Sequence, residues 1–476
     1  MLLTRREFVR RSAAAVAAVG LPVVAGSRVW GAGEEIRIAL VGCGGRGGAH
    51  IAAFGRQKGV RIAAVCDPDG QRLKAAADAV ESKFNYRPAE VADVRRLMER
   101  KDLDAVSVAT MQYWHALPTI WACQAGLHVY VEKPLAHFMW EGRQMVSAAR
   151  KHNRMVQVGT QARSRRTDRQ AIEYVRSGQL GKIQYVVCFA NKARNSIGKR
   201  TEPLPIPDYV DYELWCGPAR KEPIYRDRLQ YDCSFTWNMG DGESCNQGVH
   251  EIDAARWLLG ETGLPRRVMS VGGRFVWGDA GDVPNTQIIC YDFAAAPVLY
   301  EVHNMRAARD AQAMPQFRGA GVDTCVQCEG GCVMLHAGLV MDNEGKKIRQ
   351  FTGGEDHFDD FIRAVRSGRR EDLAADVLEG HLSTNICHAG NISYRLGRKA
   401  SAAEIRAQIG NLPVFQEMFD RYLDHLKAHG VEPAESVLGP WLQCDPDNER
   451  FKDSAEADKL ARGFYREPFV VPEVKD

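Results

Sequence analysis

A glycine-rich turn between two apolar runs constrains the fold of this chain more than any other feature. The apolar run 36–41 leads into residues 42–47 (GCGGRG), and a second apolar run, 60–66, ends just before Asp67. This order predicts a strand, a tight turn, a helix, a second strand and an acid, which is how many α/β proteins bind a dinucleotide. We therefore expect a nucleotide-binding sheet at the start of the fold.

Each glycine of the turn has a separate physical task. Gly42 permits the tight turn, Gly44 lets the backbone approach a pyrophosphate, and Gly47 allows the helix to pack closely on the strand. Unpaired backbone N–H groups at the start of the helix, together with its dipole, attract the phosphates. The predicted cofactor-binding residues of this segment are Gly42, Gly44, Gly45, Arg46, Gly47 and Asp67.

Asp67 also indicates which nucleotide is bound. A carboxylate at the end of the second strand accepts hydrogen bonds from a ribose 2′-hydroxyl and repels a 2′-phosphate. Pro68, rather than an arginine, follows it. The sequence therefore favours NAD over NADP.

The amino terminus carries an export signature. Paired arginines and a phenylalanine in residues 4–10 (TRREFVR) precede an Ala- and Val-rich run over residues 13–25. This pattern predicts a twin-arginine signal over residues 1–33, and hence a periplasmic protein that is exported after folding. A basic amphipathic helix is the alternative interpretation.

The charge balance excludes other classes of function. The 476 residues include 63 Lys and Arg against 60 Asp and Glu, so no strong field points to nucleic acid or to a membrane surface. No apolar stretch of the mature chain has the length and lack of charge of a membrane span. We predict a small-molecule ligand, with no nucleic acid and no membrane anchor.

The thirteen cysteines mostly stand singly inside apolar runs, where a thiol behaves as a small hydrophobe. Cys325, Cys328 and Cys332 form the one close cluster, and no fourth ligand at zinc spacing lies near them in the sequence. We therefore predict no metal site, while a local disulfide in this cluster stays open.

The arrangement of strands and helices changes near residue 160. Before it, short apolar strands alternate with helix-length segments, which predicts a parallel sheet covered on both faces. After it, longer strands follow one another across turns, including a single strand over residues 325–334, which predicts mostly antiparallel pairing.

The expected fold is α/β, with an N-terminal Rossmann domain and a C-terminal α+β domain on an open, mostly antiparallel sheet. Helices over residues 359–367 and 375–396 are expected to pack on these domains. The predicted boundaries are a signal segment 1–33, a nucleotide domain 34–160, a substrate domain 161–400 and a C-terminal extension 401–476.

Glu132-Lys133-Pro134 follows the fourth predicted strand, at the edge of the sheet where ligands of such folds bind. A lysine there can contact a substrate hydroxyl and relay its proton, because partial burial tunes the pKa of an ammonium. The competing interpretation of Glu132 and Lys133 is a solvated surface pair.

A second polar cluster lies in residues 246–253 (NQGVHEID). If this segment is helical, Asn246 and His250 share one face and Asp253 lies near His250. A neutral histidine beside a sugar hydroxyl is a credible general base, and a nearby carboxylate orients its ring. The alternative is a helix N-terminus whose polar side chains only satisfy caps.

These motifs together resemble the Gfo/Idh/MocA oxidoreductases. The resemblance rests on the glycine-rich turn, on residues 132–134 (EKP) and on residues 248–253 (GVHEID). Residues 211–218 (DYELWCGP), 246–250 (NQGVH) and 379–381 (EGH) are similar to exported members of the family from planctomycete-type bacteria.

The resemblance implies NAD or NADP as cofactor and sugars, inositols or their derivatives as substrates. It places Lys133 and His250 at the positions of the family's catalytic lysine and histidine. Many members carry an aspartate four residues before that histidine, where this chain has Asn246. Either Lys133 and His250 suffice, or Asp253 or another acid contributes, or activity is impaired.

The remaining site residues come from two segments. One follows the third predicted strand and the other precedes Asn246. Family members contact the nicotinamide ribose from the first of these segments, which assigns Thr110 and His115 to the cofactor, together with Glu132. An aromatic platform for a polyol is expected at Trp237. The predicted substrate-binding residues are Lys133, Asn246, His250, Trp237 and Asp253.

Three functions stay open from the sequence. The first is an NAD-dependent oxidoreductase acting on a CH–OH group of a sugar, glycoside or cyclitol, with a tightly held cofactor because free NAD is scarce outside the cytoplasm. The second is a glycosidase that oxidises a glycoside transiently, eliminates the aglycone, adds water and reduces the sugar again. The third is a nucleotide- or sugar-binding protein without catalysis, which Asn246 favours. A broad open sheet face further predicts a homo-oligomer.

Overall fold

The computed structural model describes residues 34–354, 356–431, 436–452 and 454–475. The predicted signal segment 1–33 lies outside these residues. Within them, no helix is both long and apolar enough to cross a membrane.

The first sheet is parallel throughout. Its strands are β1 (Ile36–Val41), β2 (Val60–Cys66), β3 (Ala89–Val91), β4 (Ala105–Val108), β5 (His128–Val131) and β6 (Val156–Val158). Their order in space is β3-β2-β1-β4-β5-β6, so the order reverses between β1 and β4, the place where ligands of such sheets bind. The sequence pattern does not predict β3, which is only 3 residues long.

Helices connect these strands and cover the sheet. They are α1 (Gly45–Gly55), α2 (Gly70–Phe84), α3 (Val94–Met98), α4 (Ala116–Gln124) and α5 (Met139–Lys151). Helix α2 begins where the carboxylate of Asp69 accepts hydrogen bonds from the backbone N–H groups of Gln71 and Arg72, both at 3.1 Å. This cap fixes the chain directly after Asp67.

The second sheet is mixed. Its first strands are β7 (Ile183–Ala190), β8 (Arg267–Gly273), β9 (Thr286–Asp292), β10 (Pro297–His303), β11 (Val322–Cys328) and β12 (Gly331–Met334). The later ones are β13 (Leu339–Met341), β14 (Lys347–Gln350), β15 (Arg398–Lys399), β16 (Val437–Leu438), β17 (Leu442–Asp445) and β18 (Arg450–Phe451). Within the described ranges, β7 and β10 form the one parallel pair, and the other pairings are antiparallel. The predicted fold class is therefore confirmed.

Further helices pack on both sheets. They are α6 (Arg166–Arg176), α7 (Tyr212–Cys216), α8 (Gly242–Asn246), α9 (Gly248–Leu259), α10 (His357–Ser367), α11 (Val377–Arg395), α12 (Ala402–Ile409), α13 (Pro413–Ala428) and α14 (Ala455–Arg462). Helix α10 packs on the first sheet through Phe361 and Val365, in one core with Ile38.

Both faces of the second sheet are covered by the same chain. Along β7, Val186 and Cys188 belong to the core that contains α9 and α11, whereas Val187 and Phe189 belong to the core that contains α12 and α13. The face that sequence analysis expected to be open therefore lies under the C-terminal extension. A homo-oligomer stays a prediction, but this face does not offer the surface for it.

The cysteine cluster lies on a hairpin rather than on the single strand expected over residues 325–334. Strands β11 and β12 pair antiparallel across a turn at Glu329 and Gly330, with Gln327 opposite Cys332. All thirteen cysteines are free thiols in the structure, so it contains no disulfide in this cluster.

Candidate active site

The turn between β1 and α1 leaves no room for side chains at two of its glycines. Gly42 has φ +90°, and a Cβ there would lie 2.7 Å from the backbone of Ala109 and Thr110. A Cβ on Gly47 would overlap the carbonyl oxygen of Gly42, whereas Gly45 has no neighbouring atom within 4 Å. Gly42 and Gly47 therefore allow close packing, and Gly45 leaves an open cradle.

The start of α1 is available to an anion. Its N-cap is Gly44, which provides no side-chain cap, so the first-turn N–H groups face the cleft without one. Asp67 closes the side of this cradle, accepting from the N–H groups of Cys43 (2.7 Å) and Asp69 (2.9 Å). Burial raises the pKa of Asp67. Each carboxylate oxygen keeps a second lone pair for a ribose hydroxyl.

A cleft of about 530 Å³ runs from this turn across the carboxyl ends of β4 and β5 to the second sheet. Ten of the predicted residues line it: Gly42, Gly44, Gly45, Arg46, Asp67, Thr110, His115, Glu132, Lys133 and Asn246. The predicted residues that line the cleft thus come from both the nucleotide-binding half of the chain and the second half.

One polar atom on the cleft wall has no partner. Thr110 Oγ1 is buried and makes no hydrogen bond with any described residue, so a ligand hydroxyl or amide would satisfy it. The ring of His115 lies within hydrogen-bond distance of two carbonyl oxygens, those of Pro134 (2.7 Å) and Thr110 (3.0 Å). His115 thus braces the loops that follow β4 and β5. Together with the open cradle at Gly45, this wall fits a dinucleotide.

Glu132 is held as a carboxylate under the cleft. Its Oε1 accepts from Arg46 Nε at 2.6 Å and from His50 Nε2 at 3.0 Å. Burial would raise the pKa of Glu132, but the His50 hydrogen bond and the charges of Arg46 and Lys133 outweigh it, and the pKa lies well below its usual range. Glu132 thus anchors Arg46 at the cleft, and the fully buried His50, which the sequence pattern did not indicate, supports Glu132 from outside the cleft lining.

Lys133 and Asn246 are brought together from the two halves of the chain. Lys133 Nζ donates to the carbonyl oxygen of Asn246 at 2.7 Å and to its Oδ1 at 3.2 Å. Burial lowers the pKa of Lys133, against the opposing charges of Glu132 and Glu243. The solvated-pair interpretation of Lys133 is therefore wrong, since this ammonium reaches across the cleft.

Glu243 lies one helical turn before Asn246 and orients it. Glu243 Oε1 accepts from Asn246 Nδ2 at 2.8 Å and from Arg194 Nε at 2.8 Å. Glu243 Oε2 is buried without a hydrogen-bond partner among the described residues. A carboxylate thus stands beside the position where many family members carry aspartate. Sequence analysis did not single it out.

His250 lies in the first turn of α9 and is partly exposed. Among the described residues, no side-chain hydrogen bond occupies its ring. Burial, and next the Lys133 ammonium, hold the pKa of His250 well below its usual range. Its imidazole is therefore neutral at neutral pH and able to accept a proton.

Three predicted substrate residues are absent from the lining of this cleft, namely His250, Asp253 and Trp237, and the last two lie elsewhere in the fold. Asp253 is fully buried and accepts from Arg163 Nε at 2.8 Å and from Ser383 Oγ at 2.6 Å. Trp237 stands between α8 and α11, with Arg395 over its ring at 5.1 Å. Neither lines the cleft. Asp253 is held in a buried ion pair with Arg163, and Trp237 faces a different, small cavity.

Several cleft residues came from loops that gave no motif. Lys192 Nζ donates to Gln247 Oε1 at 3.0 Å at the end of the cleft near Asn246. The cleft residues absent from the predicted set include Arg72, Lys192, Arg194, Gln230, Tyr231 and Gln247. Irregular segments such as those that hold Lys192, Gln230 and Tyr231 carry no periodicity, so the sequence pattern did not indicate these residues.

Two models of one protein family match the chain. A model of the Gfo/Idh/MocA oxidoreductase family, described as an NAD-binding Rossmann fold, matches residues 36–160. A second model of that family, described as a C-terminal alpha/beta domain, matches residues 174–276.

Individual proteins add more distant similarities. A glycosyl hydrolase family 109 protein of Shewanella pealeana is 29% identical over 204 residues, or 38% of this chain and 45% of that protein. The alignment thus spans less than half of that relative. The WlbA dehydrogenase of Bordetella pertussis, in complex with NADH and UDP-GlcNAcA, gives a TM-score of 0.57 at 20% identity over 76% of this chain and 97% of that one. A levoglucosan dehydrogenase, in complex with NADH and levoglucosan, gives 0.55 at 18% identity over 75% and 96%. The two structures are similar in fold.

Proposed function

Because the chain belongs to the Gfo/Idh/MocA oxidoreductase family, we propose that it binds NAD in the cleft and oxidises or reduces a CH–OH carbon of a sugar, glycoside or cyclitol. The observation that carries this proposal is the cleft itself. One cavity joins a dinucleotide cradle at the β1–α1 turn to Lys133 after β5 and to Asn246 in α8. NAD, when bound, supplies the hydride acceptor.

The nucleotide end is held by backbone and carboxylate groups. The N–H groups at the start of α1 bind the diphosphate, and Asp67 accepts from the adenosine ribose. Thr110 Oγ1, which lacks a partner, hydrogen-bonds the nicotinamide end. Glu132 fixes Arg46 at the cleft through a 2.6 Å hydrogen bond.

His250 and Lys133 act on the proton and the oxygen of the substrate hydroxyl. His250, with its lowered pKa, is neutral and accepts the proton of the substrate hydroxyl. Lys133 donates a hydrogen bond to the same oxygen and stabilises developing negative charge on it. Asn246, oriented by Glu243, holds Lys133 at 2.7 Å from its carbonyl oxygen. The aspartate of other members is thus replaced by an amide that positions the lysine.

A second candidate function is net hydrolysis of a glycoside. The similarity to glycosyl hydrolase family 109 proteins supports it. In this reaction the sugar is oxidised transiently, the aglycone is eliminated, water adds, and the sugar is reduced again. A cofactor that stays bound through the cycle would also suit the twin-arginine export and periplasmic location that we propose from the sequence.

The first test identifies what the protein carries. Protein purified without added nucleotide is denatured, and the released small molecules are identified by mass spectrometry. We expect NAD in stoichiometric amount. A site that is empty and also fails to bind added NAD or NADP would overturn the proposal.

The second test separates the candidate reactions. Glycosides and free sugars are supplied, and both NADH absorbance and reducing sugar are measured. Net NADH supports a dehydrogenase, whereas free sugar without NADH supports the glycosidase. Lys133→Ala should lower either turnover by about 10²-fold or more while NAD stays bound. The exposed Lys182→Ala serves as the matched control. Full turnover in Lys133→Ala would contradict the role of this lysine.

If the wild-type chain binds NAD but turns over none of these compounds, the binding protein without catalysis is the correct function. In that case NAD content is unaffected by Lys133→Ala.

A further inference from the structure

A cluster of three metal-ligating side chains lies next to the active site without taking part in it. Asp241 directly precedes α8, Cys245 lies within α8, and His388 projects from α11. All three are buried, and their ligand atoms lie within 4.8 Å of one another. Cys245 is the immediate neighbour of Asn246, so this cluster sits where α8 is fixed to the rest of the domain.

The ligand atoms lie slightly farther apart than they would around a bound ion. Cys245 Sγ lies 3.8 Å from His388 Nδ1, and Asp241 Oδ1 lies 3.9 Å from the same nitrogen. A direct N–O hydrogen bond would be about 2.9 Å long. Zinc bonds of about 2.0–2.3 Å at tetrahedral angles place neighbouring ligand atoms about 3.3–3.6 Å apart. For the two distances to His388 Nδ1, shifts of a few tenths of an ångström would reach this spacing, and all three ligand atoms already lie within 4.8 Å of one another.

The orientation of His388 turns its ring nitrogen Nδ1 toward the other two side chains of the cluster. Its Nε2 lies 3.0 Å from the carbonyl oxygen of Ala136, which can only accept, so Nε2 carries the hydrogen. The lone pair of Nδ1 then points at Cys245 and Asp241. Zinc-binding histidines commonly donate their other N–H to a carbonyl or carboxylate in this way.

Surrounding groups orient the other two ligands. Asp241 Oδ2 accepts from His137 Nδ1 at 3.0 Å, which leaves Oδ1 for the cluster. Asn391 Nδ2 lies 3.6 Å from Cys245 Sγ and donates to the Asp241 carbonyl oxygen at 2.8 Å. Each ligand atom therefore has a fixed direction before any ion arrives.

The cluster favours a positive charge. A thiolate and a carboxylate together balance the charge of one divalent cation, which a buried site requires.

A cavity of about 10 Å³ adjoins Asp241 and His388 and reaches the partly exposed Trp237 and Arg395. This volume is close to that of one water molecule and gives the fourth ligand a place. His137 Nε2 is buried nearby and makes no hydrogen bond with the described residues.

We propose that Asp241, Cys245 and His388 form a Zn²⁺ site with one water as fourth ligand. The site joins α8 to α11 and so fixes Glu243 and Asn246, which orient Lys133. It revises the expectation of no metal, which was drawn from the distant cluster at Cys325. The proposal does not depend on which reaction the cleft carries out.

The test measures metal directly in the intact protein. Zinc content is determined by mass spectrometry after dialysis, and chelator-treated protein is titrated with Zn²⁺ and with Co²⁺. We expect one tight equivalent of zinc and, with Co²⁺, a thiolate-to-metal absorption band. Both are lost in Cys245→Ser and His388→Gln and kept in Cys290→Ser, a buried cysteine on β9 outside the cluster.

Measurements on the wild-type chain test the proposal even if a variant fails to fold. Chelator should lower its thermal midpoint, and added Zn²⁺ should restore it. Absence of Zn²⁺ and Co²⁺ uptake by the wild-type chain would overturn the proposal. Uptake that is unchanged in folded Cys245→Ser would do the same.

Discussion

At the scale of single residues, Asn246 shows how one amide is fixed by its two neighbours. Its Oδ1 accepts from the Lys133 ammonium at 3.2 Å, and its Nδ2 donates to the Glu243 carboxylate at 2.8 Å. An aspartate could satisfy the first contact but not the second. The amide is therefore the side chain that suits a position between a cation and an anion.

Replacing Asn246 by aspartate should destabilise the protein by about 1–3 kcal/mol at pH 7, because a donor to buried Glu243 is exchanged for a second carboxylate. The double variant Asn246→Asp/Glu243→Gln should recover most of this loss, since the amide and the carboxylate only exchange places. Urea unfolding of the two variants and the wild type measures both effects. Equal destabilisation of the single and double variants would contradict the contact.

A site residue could be predicted from the sequence when its place at the end of a strand is enough to put it in the cleft. Lys133 follows a parallel strand, and that edge of the sheet always meets the ligand cleft. Asp253 was misplaced because spacing along a helix fixes only a face, while its partner Arg163 comes from a distant segment. Glu243 was missed because an isolated acid in a helix is usually solvated, and its burial depends on Arg194.

At the scale of elements, the start of α1 offers two adjacent glycines with opposite surroundings. A Cβ on Gly47 would overlap the carbonyl oxygen of Gly42, whereas a Cβ on Gly48 would have no atom within 4 Å. Gly47→Ala should therefore lower both the NAD content of the purified protein and its unfolding midpoint.

Gly48→Ala is the matched control for that variant. It should keep the NAD content and stabilise the protein by up to about 1 kcal/mol, because alanine is the better helix former. Equal losses in the two variants would show that close packing of α1 on β1 is not what Gly47 provides.

Histidines between β10 and α13 make a second prediction at this scale. His303 and His425 are buried, with ring centroids 4.2 Å apart. Burial lowers the pKa of His303 to about 3 and that of His425 to about 2. The unfolded chain therefore takes up these protons first as pH falls below about 6.5.

Stability should accordingly fall with pH from about 6.5 downward, by up to about 1.4 kcal/mol per pH unit for each histidine. His425→Leu should flatten this dependence, since His425 Nε2 has no hydrogen-bond partner to lose among the described residues. Urea midpoints between pH 7 and pH 5 give the slope. An identical slope in the variant would contradict the assignment.

The elements themselves were predictable to different degrees. Apolar runs located the longer strands of the first sheet, because both faces of a parallel sheet are buried. The hairpin of β11 and β12 was read as one strand, since its apolar character continues on both sides of a short turn. The sequence of β7 did contain a sign that α12 and α13 cover the second face of the second sheet. β7 is apolar on both faces, which an exposed antiparallel sheet would not be.

At the scale of the whole molecule, the end of the chain returns to its beginning. Phe469 and Val471 join the core that contains Trp114 in the nucleotide-binding half. Arg466 Nε donates to the carbonyl oxygens of Gly217 at 3.0 Å and Ala219 at 3.2 Å. The described residues after α14 therefore hold the segment after α7 against the nucleotide-binding half, near the loop after β4.

Helix α13 provides a test of the covered sheet face. Phe419 is fully buried in the core between α13 and the second sheet. Phe419→Asp should detach this helix, because a buried carboxylate without a partner costs several kcal/mol. Light scattering after gel filtration should then show association. The exposed Asp424→Ala on the same helix is the control. A Phe419→Asp protein with wild-type size and stability would contradict this.

Because α12 and α13 cover the second sheet, changes in the packing of the core need not change the assembly of subunits. Where an open sheet must be completed by a neighbouring subunit, every core change is also a change in assembly. Here the sheet is completed by the polypeptide that formed it. Contacts between copies can then be gained or lost on other surfaces over evolutionary time while the interior and the cleft stay as they are.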